Sequence, residues 1–261
     1  MNLAGKVAVI TGGGSGIGRT AARLFSGYGA EVVILELNEE LGRSAEEEIT
    51  CGGGMARFIQ TDVSDAGSVA AAFEEIRAGY GRIDALYNNA SVFLGGRDAA
   101  LEELSTDIWR RVLSVNLDGV FYCSRSAIAL MKERGGAIIN TASSAAVVGV
   151  PGCAAYTASK GATVALTRAM AVECGKYNIR VNCIAPAAIQ TEMVKESNLS
   201  DPAFDNDFFI RQITPLGRWG RPEDVAQLAC FLASDEAAYL NGVVIPADGG
   251  ITVNGNVNKE I

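Results

Sequence analysis

Histidine is missing from all 261 residues. That absence removes Ser–His–Asp triads, Cys–His dyads and His-ligated metal sites, and it leaves Tyr, Lys, Asp, Glu and Cys to carry any acid–base step. Positive charge is also short. Lys and Arg total 22 against 30 Asp and Glu, a net charge of −8, whereas a nucleic-acid surface needs an excess of cations. No apolar run reaches the roughly 18 residues of a membrane-spanning helix. The opening Met1-Asn2-Leu3-Ala4-Gly5-Lys6 lacks the apolar stretch of a signal peptide. The six cysteines (Cys51, Cys123, Cys153, Cys174, Cys183 and Cys230) include no Cys-x-x-Cys pair. They read as small buried apolar residues in a reducing cytoplasm, not as disulfides or a zinc site, and no metal is expected.

What is present is a regular alternation. Hydrophobic residues make up 49% and charged residues 20%, ample for a core and unlike a disordered chain. Short apolar runs at Val7–Ile10, Val32–Leu35, Arg57–Ile59, Ile83–Tyr87, Ala137–Asn140, Ile179–Ile184 and Val243–Ile245 alternate with amphipathic stretches. These stretches predict helices to about Tyr28, over Glu39 to about Thr50, Asp65–Gly79, two within Leu101–Arg134, and Cys153–Tyr177. The pattern predicts βαβ units in an α/β fold: one doubly wound domain over 1–261, with an about seven-stranded parallel sheet flanked by about six main helices. The irregular stretch 190–221, rich in Asp, Asn, Phe and Pro, is either a lid-like insertion or an ordinary surface excursion.

Gly12, Gly16 and Gly18 form G-x-x-x-G-x-G directly after the first strand, with Ser15 and Ile17 between them. Glycines allow close backbone approach, and the N–H groups of the helix that follows can face a pyrophosphate. Read as a P-loop, Gly13 to Thr20 fails at Arg19, which stands where the phosphate lysine belongs. Glu36 ends the second strand, 20 residues after Gly16, where a dinucleotide fold places a carboxylate on the adenosine ribose. A carboxylate there repels a 2′-phosphate, so NAD is predicted over NADP, with Arg19 the one nearby cation that argues otherwise. Asp62 suits either an adenine amino group or a helix cap.

Tyr156 and Lys160 are four residues apart near the start of the long helix and share one face. An ammonium beside a phenol favours the phenolate and lowers a pKa that starts near ~10. Ser143 and Ser144 follow the strand ending at Asn140, at the sheet edge where ligands bind. Asn116 interrupts a helical run, where an amide either caps a break or binds water.

Together these residues resemble the short-chain dehydrogenase/reductase family over essentially the whole chain. The resemblance rests on Thr11-Gly12-x-x-x-Gly16-x-Gly18, Asp62-Val63, Asn88-Asn89-Ala90, Asn116, Asn140-Thr-Ala-Ser143, Tyr156-x-x-x-Lys160, Arg180-Val181-Asn182, Pro186 before Thr191, Arg221–Ala226 and Asp248-Gly249-Gly250. It implies a Rossmann-type fold and reversible hydride transfer between NAD and a secondary alcohol or ketone. Tyr156 would be the general acid/base and Lys160 would lower its pKa and hold the nicotinamide ribose. Ser143 would orient the substrate oxygen, and Asn116 would hold a water linking Lys160 to solvent. The cofactor set it implies is Gly12, Ser15, Gly16, Ile17, Gly18, Glu36, Asp62, Val63, Asn89, Ala90, Tyr156, Lys160, Pro186, Ile189 (to the carboxamide) and Thr191. It also implies a homotetramer.

Three positions depart from the family pattern: Ser91 and Ala187 replace usual glycines, and Ala146 stands where glycine is common. Each adds a small side chain beside the expected nicotinamide or substrate position. The expected substrate lining is Ser91, Phe93, Leu94, Ala145, Val148, Cys153, Met193 and Phe204, mixed but mostly apolar. It suits a secondary alcohol or ketone of the cyclic, sugar or polyol class. Alternatives are an NADPH-type ketoreductase such as a 3-oxoacyl-carrier-protein reductase, and a non-catalytic dinucleotide sensor or scaffold.

Overall fold

The computed structural model describes residues 1–195 and 206–254. Its five inner strands bury both faces, and the two edge strands are partly exposed. In β1 (Val7–Thr11), Val7 and Val9 enter one core while Ala8 and Ile10 enter the other; in β2 (Glu31–Glu36), Val33 and Leu35 oppose Val32 and Ile34 in the same way. Strands with two apolar faces need layers on both sides, which parallel pairing with helical crossovers supplies. The other strands are β3 (Met55–Gln60), β4 (Ala85–Asn88), β5 (Gly136–Thr141), β6 (Ile179–Pro186) and β7 (Val244–Ala247). They form one parallel sheet in the order β3-β2-β1-β4-β5-β6-β7.

The crossovers are α1 (Gly16–Gly27), α2 (Glu39–Cys51), α3 (Ala66–Tyr80), α4 (Thr106–Leu113), α5 (Gly119–Met131) and α6 (Ala154–Cys174). The stretch after β6 contains the short α7 (Glu192–Lys195) and α8 (Asn206–Ile213) before α9 (Pro222–Ala233). Local side chains set several starts. Asn38 accepts from Leu41 N at the head of α2, and Asp65 from Gly67 N and Ser68 N at the head of α3. Ser105 accepts from Ile108 N, so α4 begins at Thr106 and not near Leu101 as the periodicity predicts.

The sequence reading counts about six main helices and misses α9, whose stripe of Val225, Ala226, Ala229, Cys230 and Ala233 is fully buried. Pro222 sits in the first turn, where its missing N–H is harmless, and Asp224 accepts from Arg221 N at 2.8 Å. The small residues of α9 pack against Ala21, Ala22 and Phe25 of α1. Tyr28 Oη donates to Gln227 Oε1 (2.8 Å) across the same contact.

Chain order reverses between β1 and β4, and in open α/β sheets the crevice beyond the strand ends at such a reversal is where ligands bind. Two close approaches shape it. Gly12 has φ +63°, and a Cβ there would lie 2.9 Å from Ala90 Cα. At Gly18 a Cβ would collide with the Gly12 carbonyl and the Asn89 amide nitrogen. Gly18→Ala is therefore expected to destabilise the fold by about 1–3 kcal/mol through overpacking against backbone. Gly27→Ala, with nothing within 4 Å of the added methyl, leaves the melting temperature unchanged or slightly higher; paired thermal unfolding curves check both.

Candidate active site

A cleft of about 360 Å³ opens at the β1–β4 reversal. Its floor is the glycine turn. Thr11 is buried, and its Oγ1 accepts from the backbone N–H of Asn89 and of Ala90, both at 3.0 Å. Asn89 Nδ2 returns two bonds, to Thr11 O and Gly12 O, each 3.2 Å. The ends of β1 and β4 are thus stapled together, and Asn89 braces the turn from behind. Ser15 precedes α1 in extended conformation with no side-chain cap, so the first N–H groups of α1 have no side-chain acceptor, the arrangement that receives a phosphate.

Of the cofactor set predicted above, Gly12, Ser15, Gly16, Ile17, Glu36, Asp62, Val63, Asn89, Ala90, Tyr156, Lys160, Pro186, Ile189 and Thr191 all line this one cleft. Gly18 does not; it is buried and permits the close packing of α1 on the turn. Glu36 Oε2 accepts from Gly14 N (3.2 Å), and Oε1 from Leu37 N (2.9 Å) and Asn38 N (3.1 Å), which fixes the carboxylate at the cleft edge. Arg19, the cation that argued for a 2′-phosphate, is turned to Glu48 Oε2 (2.7 Å) and Ser44 Oγ (3.1 Å) and does not line the cleft. Arg111, which the sequence reading overlooked, does line it and donates to Ser64 Oγ at 3.3 Å. Asp62 Oδ1 accepts from Ser64 N and Oγ (2.9 and 2.6 Å), so the carboxylate organises its own turn while facing the cleft.

At the far end stand Ser143, Tyr156 and Lys160. Lys160 is 1% exposed, and its Nζ donates to Thr141 O at 2.9 Å and lies 5.5 Å from the centre of the Tyr156 ring. Burial pushes the Lys160 ammonium down to about 8. The predicted lowering of the Tyr156 pKa is not the net result in the chain by itself. Burial raises the phenol, and the opposing pull comes from the neighbouring Ser143 hydroxyl. Ser143 also accepts from Ala145 N (3.2 Å) at the start of a short 3₁₀ turn, Ser144–Ala146, which fixes the hydroxyl at the strand end.

Asn116 links the loop after β4 to α6. It lies in a π-helical turn, Ser114–Asp118, between α4 and α5, the break its polarity suggested. Its Oδ1 accepts from Val92 N (2.8 Å) and Ser91 Oγ (3.2 Å); its Nδ2 donates to Val92 O (3.0 Å) and Ser159 Oγ (3.2 Å). All four positions of the amide are filled, so the side chain braces the β4 loop against α6. The Ser91 departure is explained by the same contact: its hydroxyl is taken up by Asn116.

Of the predicted substrate lining, Ser91 and Met193 face the cleft, and Phe93 packs edge-on to Tyr156 with ring centres 5.1 Å apart. Cys153 is partly buried, Ala145 is buried and Val148 is exposed; Phe204 lies outside the described residues. The turn after β6 carries strain. Ala188 has φ +32°, which disfavours any residue with a Cβ by about 1–2 kcal/mol. Ala188 O accepts from Gly220 N (3.0 Å) and Gly220 O from Gln190 N (2.9 Å), which hold the turn from outside. Ala187, the second departure, lines the cleft on this turn; Ala146 packs in a small cluster with Val164.

A dinucleotide fits these observations: a glycine turn whose backbone lines the cleft without side chains at Gly12 and Gly16, uncapped N–H groups at α1, a fixed carboxylate at one end, and a buried ammonium at the other with one of its three N–H groups placed on Thr141.

Comparison with known proteins agrees along nearly the full length. A family model described as Enoyl-(Acyl carrier protein) reductase matches residues 12–252. The chain is 38% identical to a 2,5-dichloro-2,5-cyclohexadiene-1,4-diol dehydrogenase of Sphingobium indicum, covering 96% of this chain and 98% of that one. It is 41% identical to the meso-2,3-butanediol dehydrogenase of Serratia marcescens (97% of each), and 40% identical to a 3-oxoacyl-acyl-carrier-protein reductase of Chlamydia pneumoniae (97% and 99%). A solved structure from Beutenbergia cavernae with NADP bound at low occupancy is 38% identical, covers 97% of this chain and 98% of its own, and superposes with a TM-score of 0.90. Sequence motif, sheet order and cleft therefore converge with these likenesses on one conclusion: the chain belongs to the short-chain dehydrogenase/reductase family.

Proposed function

We propose that this protein is an NAD-linked dehydrogenase that interconverts secondary alcohols and ketones of the cyclic alcohol, diol or polyol class. The observation that carries the reading is the pair formed by half-buried Tyr156 and buried Lys160, which share the cleft end with Ser143 at the edge of the sheet. Ser143 donates to the substrate oxygen and holds the carbinol carbon in place. Tyr156 Oη takes the hydroxyl proton in oxidation and returns one to the carbonyl oxygen in reduction. The Lys160 ammonium, 5.5 Å from the ring centre, favours the phenolate by opposite charge and works against the burial that raises the phenol. When bound, the dinucleotide supplies the carbon that accepts or donates hydride. Lys160 would hold its ribose near the reacting end, and Glu36 would hold the adenosine ribose.

The preference for NAD rests on Glu36, fixed at the cleft edge, and on Arg19 being paired with Glu48. The second reading, an NADPH-type 3-oxoacyl-carrier-protein reductase, draws on the Chlamydia relative and on Arg111 as a cation lining the cleft. The small-molecule substrate needs no nucleic-acid or membrane partner; among the described residues no helix is long and apolar enough to cross a membrane. The six free thiols support a reducing cytoplasm. One dinucleotide-binding and catalytic domain over 1–261 would assemble as a homotetramer, supported by apolar side chains left exposed on outer surfaces, Val172 of α6, Phe121 of α5 and Tyr239.

An NAD-coupled panel of secondary, cyclic and polyhydric alcohols is expected to find turnover, with kcat/KM higher for NAD than NADP; a tenfold preference for NADP overturns the cofactor assignment. Tyr156→Phe is expected to bind NADH nearly as wild type and lose kcat by about 100-fold or more, the usual scale of a lost acid/base group. Oxidation consumes the phenolate and reduction the phenol. The rate of oxidation therefore rises with pH through the phenol's ionisation while that of reduction falls, and pH-independent rates in both directions contradict the proton role of Tyr156. Sedimentation at a mass four times 27.3 kDa supports the tetramer, and a 27.3 kDa species alone excludes it.

A further inference from the structure

Asp98 is 6% exposed and lies 58 residues from Tyr156 in the chain. Its carboxylate reaches the first turn of α6. Oδ1 accepts from Ala155 N (3.1 Å) and from its neighbour Ala99 N (3.0 Å), and Oδ2 accepts from Tyr156 N (2.8 Å). Beside these bonds Ala154 N donates to Ala99 O at 3.3 Å. The nominal cap residue of α6, Cys153, makes no side-chain cap bond, so the N–H groups that a helix start leaves open are satisfied from a distant loop. A carboxylate at the positive end of a 21-residue helix is held by the helix dipole as well as by the bonds.

The same loop carries the wall of the substrate cleft. Phe93 lies edge-on to Tyr156 at 5.1 Å, Val92 is bonded in both directions to Asn116, and Asp98 N turns back onto Leu94 O at 2.8 Å. The segment 92–99 is thus tied at one end to the π-helical turn and at the other to the backbone of the proton-transferring tyrosine.

We infer that Asp98 is a positioning residue: it locks the substrate-side loop to the first turn of α6, so that Phe93 and Tyr156 meet the substrate as one rigid unit. The inference rests on the reading of Tyr156 as the acid/base. Without Asp98 the loop and helix settle independently, Tyr156 moves relative to Ser143, and the wall that sorts substrates by shape loosens. Displacements of about 1 Å at a reacting group lower rates by about 100-fold.

Asp98→Asn keeps the shape but replaces one acceptor with an N–H₂ group aimed at a backbone N–H; Asp98→Ala removes all three bonds. Both are expected to bind NADH within about twofold of wild type, since the glycine turn is untouched, and to lose about 100-fold in kcat/KM for the best alcohol. Their relative kcat/KM for a bulky cyclic alcohol against a small acyclic one should shift by about threefold or more, whereas a smaller active fraction scales every alcohol equally and leaves that ratio fixed. A wild-type ratio with wild-type kcat/KM in Asp98→Asn overturns the inference. Hydrogen exchange of the wild-type protein decides it without any variant: the amides of Ala155 and Tyr156 are expected to be protected, and fast exchange at both overturns the clamp. Tyr156→Phe measured alongside separates the two proposals, because full turnover in that variant refutes the acid/base role while the exchange result still reports on Asp98.

Discussion

The arrangement hangs on one buried cation. Lys160 carries an ammonium into a site that is 1% exposed, anchored to the Thr141 carbonyl at the end of β5. Removing an ammonium from water is expensive, and the expense appears as the fall of its pKa to about 8. The Thr141 carbonyl returns part of that, and a phenolate on the nearby Tyr156 would return part as well. The buried lysine and the raised tyrosine are therefore two sides of one constraint: neither group is comfortable charged alone, and each is easier to charge when the other is.

Holding that pair requires α6 to sit at one rotation and one depth. The helix face that meets the sheet is polar where an apolar stripe would be ordinary. Thr163 Oγ1 donates to Ser159 O (3.0 Å), Thr167 Oγ1 to Thr163 O (2.8 Å), Asn140 Nδ2 to Thr167 Oγ1 (2.9 Å), and Asn88 Nδ2 to Asn140 Oδ1 (2.8 Å) and Ser124 Oγ (3.0 Å). Apolar packing tolerates small rotations; directional bonds between buried groups do not, because each one broken leaves an unsatisfied donor or acceptor worth about 1–3 kcal/mol. The chain of amides and hydroxyls fixes α6 to β4 and β5, and the Asn116 amide fixes it to the loop after β4.

The departures from the family pattern fall where they can be absorbed. Ser91 gains a bond to Asn116. Ala187 lines the cleft, and its neighbour Ala188 keeps a left-handed backbone in a turn held on both sides by hydrogen bonds with Gly220. The main cleft and a second cavity of about 250 Å³ on the other side of the turn share Ala187, Ala188 and Ile189, so this strained segment is the wall between them.

The amino-acid sequence by itself determined the parallel α/β class, the glycine turn, Glu36 at the end of β2 and the Tyr156–Lys160 spacing, because each is written in residues close together in the chain and depends on strand or helix periodicity. It also held the signals for α9, in Pro222 and the stripe from Val225 to Ala233, though these are easily taken for the end of the irregular stretch. Only the tertiary structure decided what the long-range polar groups do. Arg19 is drawn to Glu48, 29 residues away; Asn116 spends its amide on Val92 and Ser159; and burial, not the nearby amine, dominates the ionisation of Tyr156. A hydrogen bond or a desolvation penalty depends on which groups arrive from elsewhere in the chain, and local sequence carries no record of that.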